Sequence, residues 1–104
     1  MGLIAAFFNQ ECIIRPFDHL GDGEPVYGEE ETRPCRLQDG LHLRTTYKHP
    51  SGQIDQVEAR AKLFCEGPKI PASSIVTCDG AEYVVVDCNA ARGFFPNHQE
   101  AYLM

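Results

Sequence analysis

The clearest pattern in the chain lies at residues 75–88, where two apolar, strand-like runs are joined at Asp79-Gly80. An Asp-Gly pair between such runs is the strongest short hairpin signal, because both residues accept the left-handed backbone of a tight turn. Val84, Val85 and Val86 form an unbroken β-branched run, which predicts a strand covered on both faces. Residues 53–66 carry a second signal. Val57, Ala59, Ala61, Leu63 and Cys65 fall on one face, and Glu58, Arg60, Lys62 and Glu66 fall on the other, with Phe64 the exception.

Upstream, residues 41–48 rise towards a turn cluster, His49-Pro50-Ser51-Gly52, so 41–66 reads as one long hairpin. Its outer part, 45–56, has few apolar residues; the pattern places it on the surface as a projecting loop that is mobile unless held by a partner. Residues 11–18 read as a first strand, in which Pro16 forces an edge or a bulge. Leu20 to Pro25 reads as a turn, with the strand resuming at Val26-Tyr27 and another beginning at Arg33 to Leu37. The alternation of His98 to Met104 predicts a last strand pairing with 82–88. At the other end, Leu3, Ile4, Phe7 and Phe8 make residues 1–10 an apolar arm, either a short helix or an extended segment. Gly67 to Pro71 links the two hairpins, and Asn89 to Asn97 is a connection carrying Phe94 and Phe95.

These elements predict a mainly β chain, and 104 residues allow a single domain, 1–104. Seven prolines and nine glycines agree with short strands and many turns. A formal net charge of −6 argues against an independent nucleic-acid binder. The charge is unevenly spread, however. Asp18, Asp22, Glu24, Glu29, Glu30 and Glu31 precede a stretch carrying Arg33, Arg36, Arg44 and Lys48 with Asp39 alone opposing them. Opposite-signed segments of this kind are either solvated faces or surfaces that dock on neighbouring subunits.

Catalytic and metal chemistry find little purchase. No P-loop, dinucleotide glycine pattern, nucleophile elbow or H-E-x-x-H occurs. The five cysteines (Cys12, Cys35, Cys65, Cys78, Cys88) are never closer than ten residues, which excludes a C-x-x-C knuckle and predicts buried, reduced thiols. His42 and His49 flank the long hairpin as strand histidines. A Cys88–His98 pair across the final strands would lack an activating electropositive setting. The expectation is a protein that is not an enzyme and holds neither metal nor cofactor. The apolar start lacks a basic region and a cleavage motif, and is too short to span a membrane.

Two stretches carry a family likeness. Ile13-Ile14-Arg15-Pro16 followed by Phe17-Asp18, and Asp79-Gly80-Ala81-Glu82-Tyr83-Val84-Val85-Val86 followed by a terminal Glu100-Ala101-Tyr102-Leu103, stand in this order across most of the chain. In order, spacing and total length the chain resembles the small head–tail connector proteins of tailed phages, the head-completion or stopper class. The resemblance implies a small antiparallel β-barrel or sandwich with a long projecting central hairpin loop. It implies a ring of six or twelve copies in the neck of a virion, assembled in the host cytoplasm, below portal and adaptor and above the tail or its terminator. Arg44, Lys48 and His49 would then lie near the channel, in weak, sequence-independent contact with packaged DNA. Phe7, Phe8, Glu29, Glu30, Glu31, Phe94, Phe95 and Tyr102 would serve docking between subunits or to neighbours. Two alternatives remain: a tail-terminator or tail-completion ring protein, and a free-standing β-barrel module that binds a ligand or peptide.

Overall fold

The computed structural model describes residues 8–91 and 98–104 as an all-β molecule. Its strands are β1 (Gln10–Arg15), β2 (Phe17–Gly21), β3 (Glu24–Tyr27), β4 (Glu31–Lys48), β5 (Ile54–Cys65), β6 (Ile75–Cys78), β7 (Ala81–Ala91) and β8 (His98–Leu103). Six of them pair in the order β1-β4-β5-β8-β7-β6, every neighbour antiparallel, and β6 pairs back on β1 to close a barrel. Closure removes the exposed edges that an open sheet of this size would present. Strands β2 and β3 form a separate two-stranded sheet.

The Asp79-Gly80 turn forms as the sequence predicts, with φ of 51° and 79°. Asp22-Gly23 makes the same turn, with φ of 54° and 80°. The Leu20 to Pro25 segment is therefore a complete hairpin, in which Leu20 pairs with Pro25 and Gly21 with Glu24, and not a turn alone. Pro16 is where the chain leaves the barrel. Strand β1 stops at Arg15, and Phe17 opens β2 with its backbone N–H bonded to Ser74 Oγ at 2.9 Å. The first strand is thus shorter than 11–18, because a residue with no N–H cannot continue a central ladder.

Residues 31–48 form one strand where two were expected, with a shift of register between Asp39 and Leu43 absorbing the break. Strand β8 pairs with β7 from Val85 to Ala91, a few residues later than 82–88, and also with β5 from Ala61 to Cys65.

Alternation in β5 and β8 fills the core. Ala59, Ala61, Leu63, Cys65, Ala101 and Leu103 are fully buried with Ile14, Val76 and Val85. Small and large side chains interleave in a narrow barrel of this kind. All five cysteines point inward, free and at most 1% exposed. Burial pushes the Cys65 thiol up to about 11 and raises Cys88 and Cys78 as well. Cys12 and Cys35 share a hydrogen bond that raises Cys35 and lowers Cys12, so Cys35 keeps the proton. Thiols this inaccessible behave as small apolar side chains.

Among the described cations Arg33 is the buried exception, 8% exposed. Its Nη2 lies 2.6 Å from Glu31 Oε1, and its Nη1 donates to the carbonyls of Glu66 (3.1 Å) and Pro68 (2.8 Å). Gly67 admits the guanidinium, since a Cβ there would stand 3.2 Å from it. Arg33 therefore fastens the 66–68 link to the barrel and contributes nothing to a basic surface.

Candidate functional site

Beyond the barrel, the long hairpin continues alone. Strand β4 pairs with β1 only as far as Cys35, and β5 pairs with β8 only from Ala61. The ladder between β4 and β5 runs on to Lys48↔Ile54. The 45–56 segment is therefore a strand-paired extension and not an irregular loop. Its turn is closed by His49 N–H donating to Gln53 O at 2.8 Å and Gly52 N–H to His49 O at 2.9 Å.

One face of this extension is held down. Tyr47 is 4% exposed, and its hydroxyl shares a hydrogen bond of 2.5 Å with Ser73 Oγ. Tyr47 and Pro50 line a pocket of about 170 Å³ with Leu20, Pro25, Tyr27, Ser73, Ile75 and Val84. The long hairpin and the β2–β3 hairpin thus meet around one apolar pocket. The tip expected to lack self-burial is anchored by this single aromatic side chain. Composition over 45–56 concealed it, because one Tyr hardly changes an average. His49 sits on the same side, its Nε2 2.7 Å from Asp55 Oδ2 and its ring 4.5 Å from that of Tyr47.

The opposite face of the extension is open. Alternation places Arg44, Thr46 and Lys48 there, across from Glu58, Gln56 and Ile54, and all six are exposed. Among the described residues Ile54 is the most exposed large apolar side chain, at 62%. Of the three residues expected near a channel, Arg44 and Lys48 share this face, whereas His49 is engaged by Asp55. Glu58 lies on the face too, 3.4 Å from His42 Nδ1. Glu58 stands directly across from Arg44, and Asp55 on the other face offsets the second positive charge of the hairpin, so its attraction for phosphate is weak.

A second surface gathers residues expected to dock. Phe8 packs edge-on to His98, with ring centroids 6.4 Å apart, and Phe64 lies 6.0 Å from the same ring. Lys62 Nζ sits between the rings of Phe64 (5.1 Å) and Tyr102 (5.2 Å) and pairs with Glu100 at 2.7 Å. His98 Nε2 also reaches Glu100, at 3.1 Å. Phe8 and Tyr102 are thereby joined through β5 and β8. Phe7, Phe94 and Phe95 lie outside the described residues. The Lys62 hydrogen bond holds the Glu100 carboxyl below its usual range, against the desolvation that opposes it, and Lys62 is raised in return.

The acidic segment divides. Glu31 is spent on Arg33, while Glu29 and Glu30 stand exposed in the β3–β4 connection, and Asp22 and Glu24 stand exposed on the small hairpin. Cys88 and His98 are not brought together: Cys88 Sγ points to Gln99 Oε1 at 3.6 Å, and His98 to Glu100. Among the described residues no three His, Cys, Asp or Glu side chains converge in a way that would hold a metal ion. No helix of the described chain is long and apolar enough to cross a membrane. No family model, no curated protein and no solved structure matches the chain.

Proposed function

We propose that this chain is a structural subunit of a phage-type neck, forming a ring at the head–tail interface that seals packaged DNA and offers the tail its docking surface. The observation that supports it best is a closed barrel from which two two-stranded hairpins depart, one acidic and one exposing Arg44 and Lys48 on its open face. A ring subunit needs a rigid body and two unlike, complementary faces. The Ile13 to Asp18 and Asp79 to Val86 motifs point the same way. Both fall at structural corners, the exit of the chain from the barrel and the β6–β7 turn.

In this reading the β4–β5 extension lies nearest the channel, and its contact with DNA is weak and non-specific. Phe8 and Tyr102 with their neighbours face an adjoining ring. The alternative of a free-standing binding module rests on the pocket around Tyr47. At about 170 Å³ it suits one or two side chains, whereas small-molecule sites measure about 300–1,000 Å³. The neck reading is therefore preferred. It is tested by complementation: DNA-filled heads made without this chain should be unstable and tailless, and purified protein should restore both DNA retention and tail joining. Heads that retain DNA and join tails equally well without it would refute the assignment.

A further inference from the structure

The two hairpins carry features that fit one another but cannot meet within a single molecule. On β3, Glu24 and Val26 share one face, and Pro25 and Tyr27 share the other. Pro25, Tyr27 and Leu20 line the common pocket, as Tyr47 and Pro50 do from the long hairpin. Each hairpin therefore turns its remaining face away from that pocket. The outer face of β2–β3 presents Val26, 38% exposed, bordered by Glu24 and by Asp22 at the turn. The outer face of β4–β5 presents Ile54, 62% exposed, directly across from Lys48, with Arg44 further along the same face. Among the described residues, none of Asp22, Glu24, Arg44 and Lys48 has an ion-pair partner. The faces are not uniform, since His19 stands across from Val26 on the first and Glu58 across from Arg44 on the second, but His19 is paired with Asp18 and Glu58 with His42.

We infer that these faces are the two halves of a head-to-tail contact between copies of this chain, with Val26 of one copy seated beside Ile54 of the next. Asp22 and Glu24 then meet Arg44 and Lys48. A second copy is the occupant because it alone is certain to bring the complementary charge and an apolar centre of matching size. The contact is heterologous, so repetition closes a ring or propagates a filament. Opposite charge at the border sets register and rejects like-to-like pairing, and apolar contact at the centre supplies adhesion. The proposal rests on the neck reading and names the subunit contact of that ring. It also assigns Arg44 and Lys48 to a neighbouring subunit in preference to DNA.

Sedimentation velocity on three proteins tests it: the natural chain, Arg44→Glu with Lys48→Glu, and Asp22→Asn with Glu24→Lys. Asn at position 22 tolerates the left-handed turn, and all four positions are exposed, so each variant should melt as the natural chain does. The natural chain should associate with rising concentration, and roughly tenfold more weakly when salt is raised from about 50 to about 500 mM. Each variant alone should stay monomeric where the natural chain is mostly assembled. An equimolar mixture should regain association, because the intact acidic hairpin of one variant meets the intact basic face of the other. A natural chain that is monomeric to about 1 mM, variants that associate as well as it does, or a mixture that stays monomeric would each overturn the contact. Association through these faces without any binding to a portal complex would leave the contact standing and remove the neck reading. Portal binding indifferent to both variants would do the reverse.

Discussion

At the scale of single residues, Tyr47 ties the long hairpin to the rest of the molecule. Its ring lines the same pocket as Ile75 and Val84, and its hydroxyl meets Ser73. Tyr47→Phe should cost about 1 kcal/mol, the net worth of a buried hydrogen bond. Tyr47→Ala should cost about 3–5 kcal/mol, as for other large buried aromatics. Chemical denaturation of both variants beside Thr46→Ala, a change on the exposed face expected to lie within about 0.5 kcal/mol of zero, separates the anchor from its neighbours. Glu100 supplies a pH dependence. Its folded carboxyl is held below the ordinary value of 4.5, first by the Lys62 hydrogen bond. Its stabilising contribution is therefore complete above about pH 4.5 and is lost as pH falls from there through the lowered value. Urea midpoints measured from pH 6 downward should fall more steeply for the natural chain than for Glu100→Gln, and equal slopes would exclude this role. Neither residue declared itself in the sequence. Tyr47 was one aromatic in a polar stretch, and the Lys62–Glu100 pair joins strands 38 positions apart.

At the scale of elements, the sequence was most legible where one local rule decides the outcome. The Asp79-Gly80 turn and the alternation of β5 needed no tertiary information. Val84 to Val86 illustrates the next step. Val85 faces the core, Val86 is 4% exposed, and Val84 lines the pocket under the long hairpin, so both faces of the run are covered as its composition predicts. The hairpin at Asp22-Gly23 carries the same turn signal, but its strands are short and interrupted by Pro25 and a bulge between Phe17 and His19. A continuous β4 was equally hard to see, because Asp39-Gly40 looks like a turn and is instead the site of a register shift. These readings bear on truncation. Removing residues 46–55 deletes the buried Tyr47 and with it one wall of the pocket that Ile75 and Val84 line, so the shortened protein should lose about 3–5 kcal/mol. Restoring Tyr47 on a shorter hairpin should recover most of it. A deletion as stable as the natural chain would show that the anchor carries no weight.

At the scale of the whole molecule, a barrel of small inward side chains supports two hairpins that share an apolar pocket and turn opposite charges outward. Barrel closure explains why the core could be read from alternation alone, since every inward position is buried whichever strand it meets. The outward surfaces could not be read in that way. Which charges lie together depends on shear and on where each flanking strand ends, and Arg33 left the basic set only because the link at 66–68 wraps over it. The proposed neck role would join these surfaces in an assembly, and imaging tests it most directly. Portal–adaptor complexes mixed with the purified chain should show an additional ring of density on the tail-facing side, with the barrels side by side. Complexes that look the same with and without the protein, at concentrations where it is folded and in excess, would contradict the account.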